Sequence, residues 1–295
     1  MSSSDLDSGD RVDVAVIGGG PAGATVAEDL ASRGHTVVLL DRAGRIKPCG
    51  GAIPPRLVRD FAIPDRLLCA TIRSARMVSP SGREVDMPIN AGGYVGIVDR
   101  EHFDEYLRER AAARGADRRT GTFTTLTRDP DGTAVVHYTD DDDTPATVRA
   151  RIVVGADGAN SGVAREAMPE QKTGKFVFAY HEILKAPGAT DDARYDPTRC
   201  DIYYDGSMSP DFYSWVFPHG GTMSVGTGSA RKGFSLRGAI ADLRARTGLS
   251  QLETVRREGA PIPLKPLKRW DNGRDVILVG DAAGVVAPAS GEGIY

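Results

Sequence analysis

The sequence predicts an α/β fold in which a discontinuous, Rossmann-type dinucleotide-binding domain carries a second domain built on an antiparallel sheet. Three observations predict it. A glycine motif stands between a strand and a helix near the N-terminus. Two further apolar strands, far along the chain, each run into a turn containing Gly and Asp. The stretch between them holds strands rich in aromatic and β-branched residues.

Residues 12–17 form an apolar run, Gly18, Gly20 and Gly23 follow directly, and 22–31 is helical in pattern. That setting gives a G-x-G-x-x-G its meaning. Gly18 permits the tight turn, Gly20 lets the backbone approach a pyrophosphate, and Gly23 lets the helix pack on the strand. The helix start, at Pro21 and Ala22, offers unpaired N–H groups and partial positive charge to phosphates. A second strand, 35–40, ends in Asp41, placed to accept ribose hydroxyls. Arg42 beside it either lies along an adenine face through its planar guanidinium or is solvated.

Asp99 reads as the N-cap of a helix over 100–114, with Phe103, Tyr106, Leu107 and Ala111 on one face and Gly115 as its stop. Arg100 sits in its first turn, where positive charge is mildly unfavourable, and this argues for an anionic partner such as a pyrophosphate. Strands at 119–126, 133–139 and 146–154 follow as an antiparallel meander. Its tips are Asp129-Pro-Asp-Gly132 and the acids at 140–143, which read as a solvated turn rather than a metal site. The meander ends in Gly155-Ala-Asp157-Gly158, with Ser161 as a helix N-cap, and a last strand, 275–279, runs into Gly280-Asp281.

The second domain is expected from strands at 176–184, 201–204, 212–217 and 222–228, and from a hairpin around Ser79-Pro-Ser-Gly82. An amphipathic helix, 236–246, is ended by Gly248, and Pro261, Pro263 and Pro266 mark the return to the first domain. The division expected is 12–75, 99–161 and 271–295 for the dinucleotide-binding domain, and 76–98 with 162–270 for the second. Residues 1–11 are read as a flexible N-terminus.

Composition narrows the function classes. The 295 residues are 40% apolar with a net charge of −3, which offers no footprint for nucleic acid. Cys49, Cys69 and Cys200 are an odd set without paired spacing, as suits a reducing cytosol, and a cytoplasmic location is expected. The histidines show no ligand spacing, so no metal site is expected. Neither a leader nor an apolar run of membrane-spanning length is visible. The sequence stops within Gly291-Glu-Gly293-Ile-Tyr295, where a helix is expected to begin, and it is read as C-terminally incomplete.

The motifs carry two resemblances. The glycine motif, Asp157-Gly158 and Gly280-Asp281, in that order and each leaving a strand, resemble the FAD-containing reductases and monooxygenases of the glutathione-reductase and aromatic-hydroxylase type. This resemblance implies FAD as cofactor, held by Gly18, Gly20, Pro21, Ala22, Gly23, Asp41, Arg42, Arg100, Gly280 and Asp281. It implies that Asp281 bonds the ribityl chain, and that a helix after Gly291 and Gly293 aims its positive end at the isoalloxazine. Asp157 would serve the fold, with a role toward a nicotinamide nucleotide as the alternative.

Lys47-Pro-Cys-Gly-Gly-Ala-Ile-Pro54 and Tyr213-Ser-Trp-Val-Phe-Pro218 are similar to the two signatures of the geranylgeranyl reductases, especially the chlorophyll and bacteriochlorophyll branch. That family saturates isolated double bonds of prenyl chains. The resemblance runs from residue 12 to the end and implies a prenylated pigment or prenyl diphosphate as substrate. It further implies NADPH as donor, although no second G-x-G-x-x-G is present, and leaves room for peripheral attachment to a photosynthetic membrane. It places Cys49 against the isoalloxazine as proton donor or shape determinant, with Gly50, Gly51, Tyr213, Trp215 and Pro218 around the substrate. An unactivated alkene has no carbonyl to delocalise charge as hydride arrives, so a general acid and a dry aromatic pocket lower the barrier. Two rivals stand beside this reading: a hydroxylase or halogenase of the same fold, and a prenyl-lipid-binding flavoprotein without turnover. Halogenases carry a similar W-x-W-x-I-P, from which Tyr213 and Phe217 depart.

Overall fold

A computed structural model of the chain describes residues 11–294 apart from 43, 45, 90–91, 172–173 and 189–194. The opening unit is β1 (Arg11–Ile17), α1 (Pro21–Ser32) and β2 (Val37–Asp41). Short elements follow: β3 (Ala52–Ile53), α2 (Pro55–Asp60), β4 (Leu68–Ile72), β5 (Ser74–Val78), β6 (Glu84–Pro88) and β7 (Val95–Val98). Next come α3 (Arg100–Ala113), the long strands β8 (Asp117–Arg128), β9 (Ala134–Asp140) and β10 (Pro145–Gly155), and α4 (Gly162–Ala167). The remaining elements are β11 (Phe176–Lys185), β12 (Arg199–Tyr203), β13 (Ser214–His219), β14 (Thr222–Ser229), α5 (Leu236–Thr247), β15 (Thr254–Pro263) and β16 (Val276–Leu278).

The first sheet runs β1-β2-β8-β9-β10-β16, with β10 also paired to β1. Its central strands are unbroken apolar runs because both faces are covered, as parallel sheets require. Val14, Val16, Val37 and Leu39 point to α1 and α3, where they meet Ala24, Ala27, Phe103, Leu107 and Ala111. Ala15, Ile17, Val38 and Leu40 point the other way, to Tyr138, Val148, Val163 and Met168. The meander is not a separate layer, because its outer strands change partners midway. β8 lies parallel to β2 from Asp117 to Thr120 and antiparallel to β9 from Gly121 onward. β10 likewise leaves β9 and continues parallel to β1 and β16.

The second sheet runs β15-β11-β14-β13-β12-β5-β6. α5, capped by Ser235 and ended by Gly248 at φ +77°, covers one face through Ala239, Ile240 and Leu243 against Leu184, Val216, Met223 and Val225. β15 was not expected. Its prolines suggest a linker, yet Pro261 and Pro263 lie opposite Phe178 and Phe176. They are tolerated because β15 is an edge strand, where a missing N–H breaks no inner ladder. A small third sheet, β3-β7-β4, ties the two together. The expected division at 75/76 and 98/99 falls at this join, leaving β7 on one side and its partners β3 and β4 on the other.

The helix expected after Gly291 is not formed over 291–294. A looped turn stands there instead, closed by Ala287 N–H to Glu292 O at 2.7 Å and Gly291 N–H to Ala287 O at 2.8 Å. Among the described residues no helix is long and apolar enough to cross a membrane, and no cluster of three His, Cys, Asp or Glu could hold a metal ion.

Candidate flavin and substrate site

The three motif glycines do different physical work. A Cβ on Gly18, at φ +104°, would lie 2.3 Å from Ala156 O, and one on Gly23 would lie 1.9 Å from Gly18 O. Those two are glycine because chain passes over chain. A Cβ on Gly20 would meet nothing within 4 Å. Its missing side chain leaves open space at the start of α1, which begins at Pro21 and Ala22 and has no side-chain cap. Uncapped N–H donors and the positive end of a helix facing that space suit a pyrophosphate.

Asp41 lies at the end of β2 beside this space. Its carboxylate accepts from Arg108 Nη1 at 3.1 Å, and the same nitrogen donates to Gly19 O at 3.2 Å. Sequence reasoning missed Arg108. The signal was a charged stripe at spacing four on α3: Arg100, Asp104, Arg108. Arg100 is buried and bound in a fork to Asp104, at 2.7 and 2.6 Å. Burial works against its charge, but Asp104, with a smaller contribution from the nearby Cys49 thiol, more than offsets this and raises the guanidinium's pKa. It reaches the site as half of an ion pair rather than as a free cation. A cavity of about 530 Å³ lies here, lined by Arg42, Arg66, Arg100 and Arg108 and also by the acids Glu101, Glu105 and Glu109. Arg42 is exposed at its edge.

The third motif packs against the first, because a Cβ on Gly280 would stand 2.9 Å from Ala22 Cβ. Asp281 is largely buried and forms an ion pair with Lys47, a second residue that sequence reasoning passed over within a quoted motif. A Cβ on Gly293 would be 3.2 Å from Asp281 Oδ1. Gly291, at φ +72°, abuts Phe212. Asp157 is engaged elsewhere. It accepts from Ser161 Oγ at 2.5 Å and from the N–H groups of Gly162 and Val163 at 2.6 and 3.2 Å, so its carboxylate fixes the start of α4.

Lys47 anchors one end of the Cys49 loop, and the second sheet holds the other. A Cβ on Gly50 would stand 3.2 Å from Phe217 Cδ2. One on Gly51, at φ +73°, would strike Val98 O at 2.4 Å and His219 Nε2 at 2.9 Å. Gly51 N–H donates to Cys49 Sγ at 3.3 Å, which orients the thiol. Burial lowers the pKa of His219, so the imidazole against this loop favours its neutral form.

Above the loop the rings of Tyr213, Trp215 and Phe217 share one face, with centroids 5.9 and 6.2 Å apart along the row. Tyr213 Oη donates to Ser290 O at 2.5 Å, and burial raises the pKa of its phenol. Trp215 Nε1 donates to Ser224 Oγ at 3.0 Å. Pro218 departs from expectation. Strand alternation sets it with Val216, on the face turned toward α5 and away from these rings.

Comparison with known proteins agrees with this geometry. Residues 11–294 match the FAD binding domain family. The geranylgeranyl diphosphate reductase of Rhodobacter capsulatus is 60% identical over 285 residues, covering 97% of this chain and 72% of that protein. The chain belongs to the geranylgeranyl reductase family. The chloroplastic geranylgeranyl diphosphate reductase of Oryza sativa subsp. japonica is 40% identical over 308 residues, and the chain spans 65% of its length. Among solved structures, a geranylgeranyl bacteriochlorophyll reductase-like protein of Thermoplasma acidophilum superposes with a TM-score of 0.83 at 22% identity, over 97% of this chain and 74% of that one. The myxobacterial chondrochloren halogenase follows with a TM-score of 0.78 at 19% identity, over 97% and 71%. At those identities the two structures speak to fold alone. The open glycine turn, the uncapped helix and the adjoining cavity fit FAD, the cofactor of this domain family.

Proposed function

We propose that the chain forms the flavin-binding and substrate-facing part of a reductase that saturates isolated double bonds of a geranylgeranyl chain, carried on a pigment or as the free diphosphate. One observation carries this reading: the Cys49 loop is held between Asp281, through Lys47, and the ring row of Tyr213, Trp215 and Phe217. The name of the relative at 60% identity supports it. Gly18, Gly20, Gly23, Asp41, Arg42, Arg100, Gly280 and Asp281 hold the cofactor, and NADPH is the donor that reduces it.

FAD held by these residues would, once reduced, supply the hydride for one alkene carbon. Cys49 Sγ–H delivers the proton to the other, so that one C=C becomes CH–CH and the thiolate is reprotonated from solvent. Gly51 N–H holds the sulfur in line. Tyr213, Trp215 and Phe217 exclude water and face the positive charge developing at the tertiary carbon, a cation–π contribution of ~1–2 kcal/mol in a dry site. Hydroxylases and halogenases of this fold require oxygen, so anaerobic single turnover separates the classes. Reduced enzyme mixed with geranylgeranyl diphosphate, or with the geranylgeranyl pigment ester, should reoxidise and yield a product heavier by one H2 per flavin reoxidised, by mass spectrometry. Reoxidation by oxygen alone would overturn the assignment.

A further inference from the structure

Trp215 lies in a row of residues that crosses four strands of the second sheet. Glu258 on β15 faces His181 on β11, His181 faces Gly226 on β14, and Gly226 faces Trp215 on β13. Gly226 makes the row work, since a Cβ there would stand 2.0 Å from Trp215 Cζ2. Without one, the indole lies flat across β14 and its N–H reaches Ser224 Oγ at 3.0 Å. Ser224 Oγ lies 2.9 Å from His181 Nδ1. Both groups are buried, Ser224 fully so.

The indole can only donate, so Ser224 Oγ accepts from it. Ser224 Oγ and His181 Nδ1 share one hydrogen bond, whose direction follows the tautomer of the ring. His181 Nε2 lies 3.0 Å from Glu258 Oε2, an electrostatic contact rather than an aligned hydrogen bond. Arg256 Nε, 2.9 Å from Glu258 Oε1, holds the carboxylate from its other side. The chain of contacts thus ends in the ring row that faces the Cys49 loop.

We propose that Glu258, His181 and Ser224 form a positioning relay which locks the plane of the Trp215 indole in the substrate wall and so sets which double bond of a prenyl chain is presented for reduction. The substrate part of this inference rests on the reading above, and the indole part stands without it. His181 and Ser224 are positioning residues, because both act through the indole.

The test uses Trp270→Phe as background, which leaves Trp215 as the only tryptophan of the 295 residues. Time-resolved anisotropy of the indole in the flavin-loaded protein reads the lock directly, whether or not a prenyl substrate turns over. Ser224→Ala and His181→Leu should each lower residual anisotropy by about twofold or more, as local ring motion on the nanosecond scale appears. With geranylgeranyl diphosphate, Ser224→Ala should shift the ratio of partly to fully reduced product by about tenfold at unchanged FAD content. In a Trp215→Phe background the same change should add nothing, since the coupling runs through the indole N–H. Should the core variants fail to fold, Glu258→Gln at the sheet edge should show the same anisotropy loss in smaller measure. Wild-type anisotropy in all folded variants would overturn the relay. A lost lock with an unchanged product ratio would overturn its role in selectivity. Absent turnover in the parent protein would instead refute the proposed function and leave the anisotropy result to decide the lock.

Discussion

Gly20 and Cys49 are the residues whose chemistry is most exposed to test. Gly20 alone among the motif glycines faces empty space rather than neighbouring chain. Gly20→Val fills that space without a clash in the free protein, so it should fold normally and lose the yellow flavin absorbance, which a spectrum of the purified protein reads. A folded, flavin-replete variant would remove Gly20 from the site. Cys49→Ala should retain FAD and slow alkene-dependent reoxidation at least tenfold, about 1.4 kcal/mol in the barrier. Wild-type rates would reduce Cys49 to pocket shape. The glycine turn was legible because each of its causes is local: strand, turn and helix are adjacent in sequence. Arg108 and Lys47 were not. Their partners, Asp41 and Asp281, lie far away in the chain, and no local pattern announces a long-range ion pair. The bonds of Asp157 to the start of α4 explain why a strand-end acid in this position serves structure.

The strands show where periodicity succeeds and where it stops. Alternation set Tyr213 and Trp215 on one face, and the same alternation, carried on, removes Pro218 from it. The strand divides the signature between its two faces. β15 escaped notice because proline counts against a strand, and only its place at the sheet edge, a property of topology, lifts that objection. β14 yields the sharpest element-scale prediction. Gly226→Ala places a methyl where the Trp215 ring lies, and overpacking of this kind costs ~1–3 kcal/mol. Thermal melts should show a Tm lower by several degrees. The near-ultraviolet circular dichroism of the indole should weaken, while FAD content stays close to wild type. A variant with an unchanged indole signal would mean that the ring has room to spare.

At the scale of the whole molecule, the cofactor site proposed above draws on the turn at 18–23, Asp41 and Arg42, Arg100 on α3 and the turn at 280–281, parts of the chain that only folding brings together. A ligand bound only by the folded state stabilises it by mass action, about 2.7 kcal/mol at a hundredfold excess over Kd. The apoprotein should therefore melt several degrees below the FAD-loaded form, with the gap growing as FAD rises, and calorimetry should find the gap closed in Gly20→Val. The strands β8 and β10, which change partners halfway, have a consequence for how this assembly comes about in time. Their pairings with β9 join neighbours in sequence, whereas those with β1, β2 and β16 span long loops whose closure is entropically slow. A chain so arranged can complete its hairpins early, leaving the free halves, 117–120 of β8 and 151–155 of β10, beyond opposite ends of β9. Each half is then an unpaired edge that only a strand distant in sequence can cover, β2 for the one and β1 with β16 for the other.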